Sequence, residues 1–131
     1  MEINRVHKKI RVGYSDIIRY QIISELVFLK KEHLIDSDIK LLTELVLNQP
    51  VELSEFCYNT VKKLYTEIEP EKISIKSQNI RNKVISLQKR GIIVKTNKGK
   101  NKIMINPSYN IQSKGNVLLD YNILAIEPNK I

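Results

Sequence analysis

Between Ile18 and Leu87 the apolar residues recur mostly three or four positions apart, and from Ile92 onward they gather into short continuous runs. A helix returns to one face about every 3.6 residues and a strand every two, so this change of period marks a change of structure. Ile3, Arg5, Val6, Lys8, Ile10 and Val12 alternate roughly, which predicts an extended arm or a β-strand over residues 1–13. Gly13 and Ser15-Asp16 punctuate, and Asp16 is the expected cap of a helix reaching about Lys31, with Ile18, Ile22, Leu26 and Leu29 on one stripe. Its β-branched content keeps a strand open as the alternative. Asp36-Ser37-Asp38 starts the next helix, with acids at the positive end of its dipole. Ile39, Leu42, Leu45 and Val46 carry its stripe, and Asn48-Gln49-Pro50 stops it.

Val51-Glu52-Leu53 is a short extended piece, and Ser54 is the expected cap of a helix bearing Phe56, Val61, Leu64 and Tyr65. Glu69-Pro70-Glu71 is expected to break the chain. The stretch from Glu67 to Lys76 then reads as a long turn, with Ile73 and Ile75 compatible with an extra strand. Ser77 is the expected cap of a helix from Gln78 to Arg90, whose core stripe is Ile80, Val84 and Leu87. Gly91 sits where a helix end needs positive φ, with Lys89 and Arg90 favourably placed in the last turn. Two β-branched runs follow, 92–96 and 102–106, joined by the polar loop Asn97-Lys98-Gly99-Lys100-Asn101. Pro107 ends the second strand. The tail from 108 carries Val117-Leu118-Leu119 and Ile123-Leu124-Ala125-Ile126, apolar runs that need a surface to lie on.

Charge sharpens this outline. The 131 residues fit one domain with arms, and the formal net charge is +8. From Lys72 to Lys102 there are ten Lys/Arg and no acid, and no acid occurs before Asp120. Val12 to Glu71 instead holds six basic and eleven acidic residues, while Met1 to Arg11 sets four basic residues against Glu2. A field so unevenly distributed suits a polyanion. Ile (21), Lys (17) and Asn (12) are abundant and Ala occurs once, a bias toward A/T-rich codons that points to a low-GC bacterium, its plasmids or its phages.

The order helix, short strand, helix, turn, helix, hairpin resembles the winged helix-turn-helix superfamily over about residues 36–107. The resemblance is carried by Ser77-Gln78-Asn79-Ile80-Arg81-Asn82-Lys83-Val84, by Leu87-Gln88-Lys89-Arg90-Gly91-Ile92-Ile93, and by the hairpin after them. It implies an α+β, mainly helical fold, a winged helix-turn-helix with extended N- and C-terminal arms. Residues 1–35 would form a basic arm with a helix or strand, 36–107 the winged-helix domain, and 108–131 a C-terminal arm.

The resemblance further implies that helix 77–90 enters the major groove of duplex DNA by its N-terminal half. Gln78, Asn79 and Asn82 would read adenine edges, and Arg81 would fork onto guanine or phosphate. Lys83, Lys89 and Arg90 would reach phosphates. Lys95 would do the same from the hairpin, with Lys98, Lys100 and Lys102 beside the backbone. Arg5, Lys8, Lys9 and Arg11 would add a grip from the arm. Ile85 falls opposite the core stripe and marks a thymine-methyl or protein contact. Leu118, Leu119, Ile123 and Leu124 are further candidates for a protein interface.

Enzyme readings fail on inventory. His7 and His33 have no paired-ligand spacing, and Cys57 is the single cysteine, expected as a small buried hydrophobe. The four glycines form no phosphate cradle, and no carboxylate pair has a catalytic signature. No cofactor or metal is expected. No apolar run approaches the ~18 residues a bilayer span needs, and Met1–Val12 lacks a signal-peptide core. The expected setting is the cytoplasm of a bacterial host, or a virion. The competing class is a structural virion protein: the composition and arms are similar to small neck or ring proteins of crAss-like phages. Portal, tail or ring proteins would then be the partners. In either class the chain is expected to be a homo-oligomer.

Overall fold

The computed structural model describes residues 2–97 and 101–128. It is an α+β fold in which four helices enclose one core and a three-stranded antiparallel sheet closes one end.

The first helix, α1, runs Tyr14–Ile22 and continues with π winding over Ile23–Leu29. Its N-cap is Gly13, so Ser15 and the expected cap Asp16 lie inside the first turn rather than before it. Ile18, Ile22 and Leu26 are fully buried, so the strand alternative falls away. Leu29, expected on the same stripe, is exposed. Bonding over five residues advances each position by less than an α-helical step, which keeps Leu26 inward and rotates Leu29 out. Lys31, at φ 57, then ends the helix in the left-handed region, and its neighbour Glu32 donates back to the Leu26 carbonyl at 2.8 Å.

Helix α2, Asp36–Asn48, buries Leu41, Leu42, Leu45 and Val46. Its N-cap is Ile35, and the Asp38 carboxylate reaches back to accept from the Ile35 N–H at 3.1 Å. Strand β1 is Val51–Glu52. Helix α3, Leu53–Leu64, is capped by Glu52 rather than Ser54: the Glu52 carboxylate accepts from the N–H groups of Ser54 and Glu55, both at 3.0 Å. Phe56, Cys57, Thr60 and Val61 face the core, whereas Leu64 and Tyr65 at its frayed end stay partly exposed.

The largest departure from the sequence reading is helix α4, Pro70–Lys89. It begins seven residues before Gln78's expected turn at Ser77, absorbs Ile73 and Ile75 into helix, and shortens the α3–α4 link to residues 65–69. Proline lacks an N–H, so it breaks a helix interior but suits a first turn, whose N–H groups have no helical partner anyway. Glu69 and Glu71 stabilise that end through the dipole. Ile80, Val84 and Leu87 are buried as expected, and Gly91 takes φ 76 to turn the chain into the sheet.

Strands β2 (Ile93–Lys95) and β3 (Lys102–Ile105) form the hairpin, and β3 pairs on its other side with β1, giving the order β1-β3-β2. Val51 lies opposite Ile103 and Glu52 opposite Lys102. Ile92, Ile93, Ile103 and Ile105 drive the sheet's inner face into the same core as α1 to α4. Each such side chain contributes ~1.5–3 kcal/mol on burial. Beyond Pro107, Tyr109 and Ile111 still pack on this core. No described segment of residues 2–13 or 108–128 forms a helix or strand, so the strand alternative for the N-terminal segment is not realised.

Candidate nucleic-acid interface

Helix α4 carries most of the residues singled out for DNA. Its core stripe faces inward, and Gln78, Asn82, Ile85 and Lys89 follow at i, i+4, i+7 and i+11 on the opposite face. These residues sit in the middle and last turns of a 20-residue helix, not at its N-terminus. The amides of Gln78 and Asn82 are exposed and bonded to each other, Nε2 to Oδ1 at 2.9 Å. Asn79 is exposed beside them. Ile85, 39% exposed, interrupts this polar stripe with the one apolar side chain that faces out between Gln78 and Lys89.

The cations on the flanks of α4 are largely engaged with the protein itself. Lys83 Nζ pairs with Asp38 at 3.1 Å, tying α4 to the start of α2. Arg90 Nη2 pairs with Glu32 at 2.9 Å and donates to the His33 carbonyl at 2.9 Å, tying it to the α1–α2 link. Acids that are absent from the local sequence thus arrive from residues 32–38, and they neutralise two of the side chains expected to reach phosphate. Arg81 differs: its Nη2 donates to the neutral Ser54 Oγ at 2.7 Å, and instead of an ion pair it has only the longer-range attraction of the Glu52 carboxylate. Lys89 and Lys95 are exposed with no ion pair among the described residues. Lys102 points into a cleft of about 320 Å³ shared with Glu44, Glu52 and Glu55, whose carboxylates repel phosphate. Lys98 and Lys100 lie outside the described residues.

Sequence reading missed the border between α3 and α4. Lys62 Nζ stands 4.4 Å from the Tyr58 ring centroid, and Lys76 Nζ from α4 stands 5.1 Å from that of Tyr65. With Arg81 at Ser54, this border presents aromatic rings interleaved with cations. The signal was present: Tyr58 and Lys62 are four residues apart, the spacing of helical neighbours. That Lys102 lies opposite Glu52, across β3 and β1, was decided only once the strands had paired.

Three ionisable groups are displaced from their ordinary values. Hydrogen bonds from two backbone N–H groups, Ser54's first, hold the Glu52 carboxyl below the ordinary carboxylate range. Burial pushes the Cys57 thiol up, as it does the Tyr109 phenol. A raised thiol is poorly nucleophilic, and Cys57 is fully buried. Among the described residues no group of His, Cys, Asp and Glu could hold a metal ion, and no described helix is long and apolar enough to cross a membrane.

At the terminal arms, Arg5, Lys8, Lys9 and Arg11 are exposed with no ion pair among the described residues. Leu118, Ile123 and Leu124 are exposed as well, and Leu119 is half-buried. The structure therefore brings Gln78, Asn82, Ile85 and Lys89 onto one face, with Arg81 at its flank, and sets Lys83, Arg90 and Lys102 apart from them. No family model, no curated protein and no solved structure matches this chain.

Proposed function

We propose that the chain is a winged-helix nucleic-acid-binding protein of a phage or other mobile element, binding duplex DNA through α4 and the β2–β3 hairpin. The observation that supports this best is the element order: α2, β1, α3, α4 and a hairpin, with the sheet order β1-β3-β2. The hairpin follows directly on α4, and the segment from Lys72 to Leu119 that forms nearly all of both holds no acid; the acids that approach from elsewhere meet Lys83, Arg90 and Lys102, not Lys89 or Lys95. The amides of Gln78, Asn79 and Asn82 supply base-edge donors and acceptors, and Arg81, Lys89, Lys95 and the loop lysines Lys98 and Lys100 supply phosphate contacts. Lys83 and Arg90 brace the helix instead of gripping DNA.

Fluorescence anisotropy with a labelled duplex tests this. Binding should weaken with salt, and each phosphate contact removed should lower the slope of log affinity against log salt by about 0.9. The triple variant R81A/K89A/K95A should therefore lose both affinity and slope, while K83A and R90A should keep the wild-type slope. Unchanged affinity in the triple variant defeats the proposal.

A second reading has its own support in Ile85 and the uncovered apolar tail. Under it the chain is a structural virion component, in the neck, ring or connector, that uses the same fold for protein assembly. Mass spectrometry of purified particles separates the two: a stoichiometric virion protein would be present in every particle, a DNA regulator would not.

A further inference from the structure

Both ends of the chain leave peptide groups and apolar side chains uncovered together. Among the described residues, neither Glu2–Val12 nor Ser113–Pro128 makes a backbone–backbone hydrogen bond. Val6 and Ile10 are 79% and 78% exposed in the arm, and Leu118 and Ile123 are 92% and 91% exposed in the tail. Extended chain with unpaired peptide groups beside apolar side chains is a template for strand addition.

The tail is held in a fixed place. Gln21, almost fully buried in α1, donates its Nε2 to the Gln112 carbonyl at 2.8 Å and accepts the Gln112 N–H on Oε1 at 2.6 Å, acting as a strand neighbour would. Gly115, at φ 77, turns the chain. The following residues alternate: Val117 and Leu119 are half-buried, Leu118 and Asp120 exposed. Tyr121 then donates its hydroxyl to the Tyr20 carbonyl at 3.1 Å. The tail is thus anchored at Gln112 and Tyr121, with burial alternating between them and Leu118 and Ile123 left uncovered. The arm's Ile10–Val12 and the tail's Gly115–Val117 line one cleft of about 330 Å³, so the two segments start from the same place without pairing.

Their charges are complementary. The arm carries Arg5, Lys8, Lys9 and Arg11 against Glu2, and the tail from Ser113 to Pro128 carries Asp120 and Glu127 against Lys114, with both acids beyond the Gly115 turn. We propose that the N-terminal arm of one copy of this chain adds as a strand to the tail of a second copy, joining copies through exchanged arms. Duplex DNA would satisfy the basic arm but leave Leu118 and Ile123 in water. A second copy covers the apolar residues, pairs the peptide groups and sets the basic arm against Asp120 and Glu127. Each copy offers one arm and one tail, so the exchange closes as a two-fold pair or a ring.

Sedimentation velocity on the full chain tests this, using two charge-reversed variants: R5E/K8E/K9E/R11E in the arm and D120K/E127K in the tail. The altered residues lie outside every helix and strand, and an unchanged thermal melt would confirm intact folding. Wild type should associate at about 100 µM, and each variant alone should associate at least about tenfold more weakly, since its arm and tail then carry like charge. Their equimolar mixture should associate again, because each arm meets a tail of opposite sign. A monomeric wild type, association indifferent to either reversal, or a mixture that fails to recover would each overturn the proposal. So would an arm variant that stays monomeric like wild type and loses only duplex affinity, which would make the arm a DNA grip. The readout is independent of whether α4 binds DNA.

Discussion

Ile22 and Ile123 are the same side chain with opposite fates: the first is fully buried between α1 and the rest of the core, the second is 91% exposed on the tail. The basic residues divide the same way. In the body, Lys83 and Arg90 are matched by Asp38 and Glu32, whereas Arg5, Lys8, Lys9 and Arg11 in the arm have no acid among the described residues. Hydrophobicity and charge are local properties, but cover is not. A side chain is buried when several elements converge on it, and among the described residues none covers Val6, Ile10, Leu118 or Ile123. The comparison also places the boundary between body and tail, at the Gln21–Gln112 clasp.

The largest expected difference follows from packing. F56A, deep in the core, should cost about 3–5 kcal/mol in urea unfolding, because the cavity adds to the lost transfer energy. I123A should stay within about 0.5 kcal/mol in the same assay at low protein concentration. A comparable loss from both would erase the distinction between body and tail.

Next is the clasp. Q21A leaves the Gln112 peptide unpaired and should cost about 1–3 kcal/mol. Limited proteolysis should then cut within residues 113–128 much faster than in wild type, while the body persists. Unaltered cleavage would mean the tail is held elsewhere.

Two glycines offer a finer contrast. Gly91 and Gly115 have nearly equal φ, 76 and 77, and neither would meet a neighbour if given a Cβ. G91A should cost about 1–2 kcal/mol, since α4 and β2 fix the left-handed conformation from both sides. G115A should cost less than half of that in thermal unfolding, because the tail can relax around it. Equal costs would show the tail to be as constrained as the body.

The smallest effect is a pH dependence. Glu52's pKa is lowered in the fold, so its ionised cap contributes stability above the ordinary carboxylate range. That contribution is lost as pH falls through the lowered value. Wild type should therefore melt above E52Q at neutral pH, with the gap closing in acid. A gap independent of pH would remove the charge from the capping argument.

Much of the body was legible in the residues. The stripe of α2, the inward face Ile80-Val84-Leu87, the turn at Gly91 and the two β-branched runs all rest on period and on positive φ, which act within a few residues. The start of α4 was not, because Pro70 serves equally as a stop for α3 and as a first turn for α4. Only the position of α3 against α4 selects the second role. Ser54 had the chemistry of a cap, yet the helix starts earlier: Glu52, held by β1's pairing with β3, accepts from the N–H groups of Ser54 and Glu55 and takes the capping role.

The candidate interface divides along the same line. Sequence determined which side chains are available: amides at 78, 79 and 82, a run of cations without acids, and apolar ends. Tertiary structure decided which of them are free. Folding brought Asp38 to Lys83 and Glu32 to Arg90 across some 45 and 58 residues of chain, and it left Lys89 and the basic N-terminal arm without an ion pair among the described residues. The reason is physical: helix and strand periods are set by neighbours along the backbone, whereas the partner of a charge is set by whatever the fold carries within a few ångströms of it.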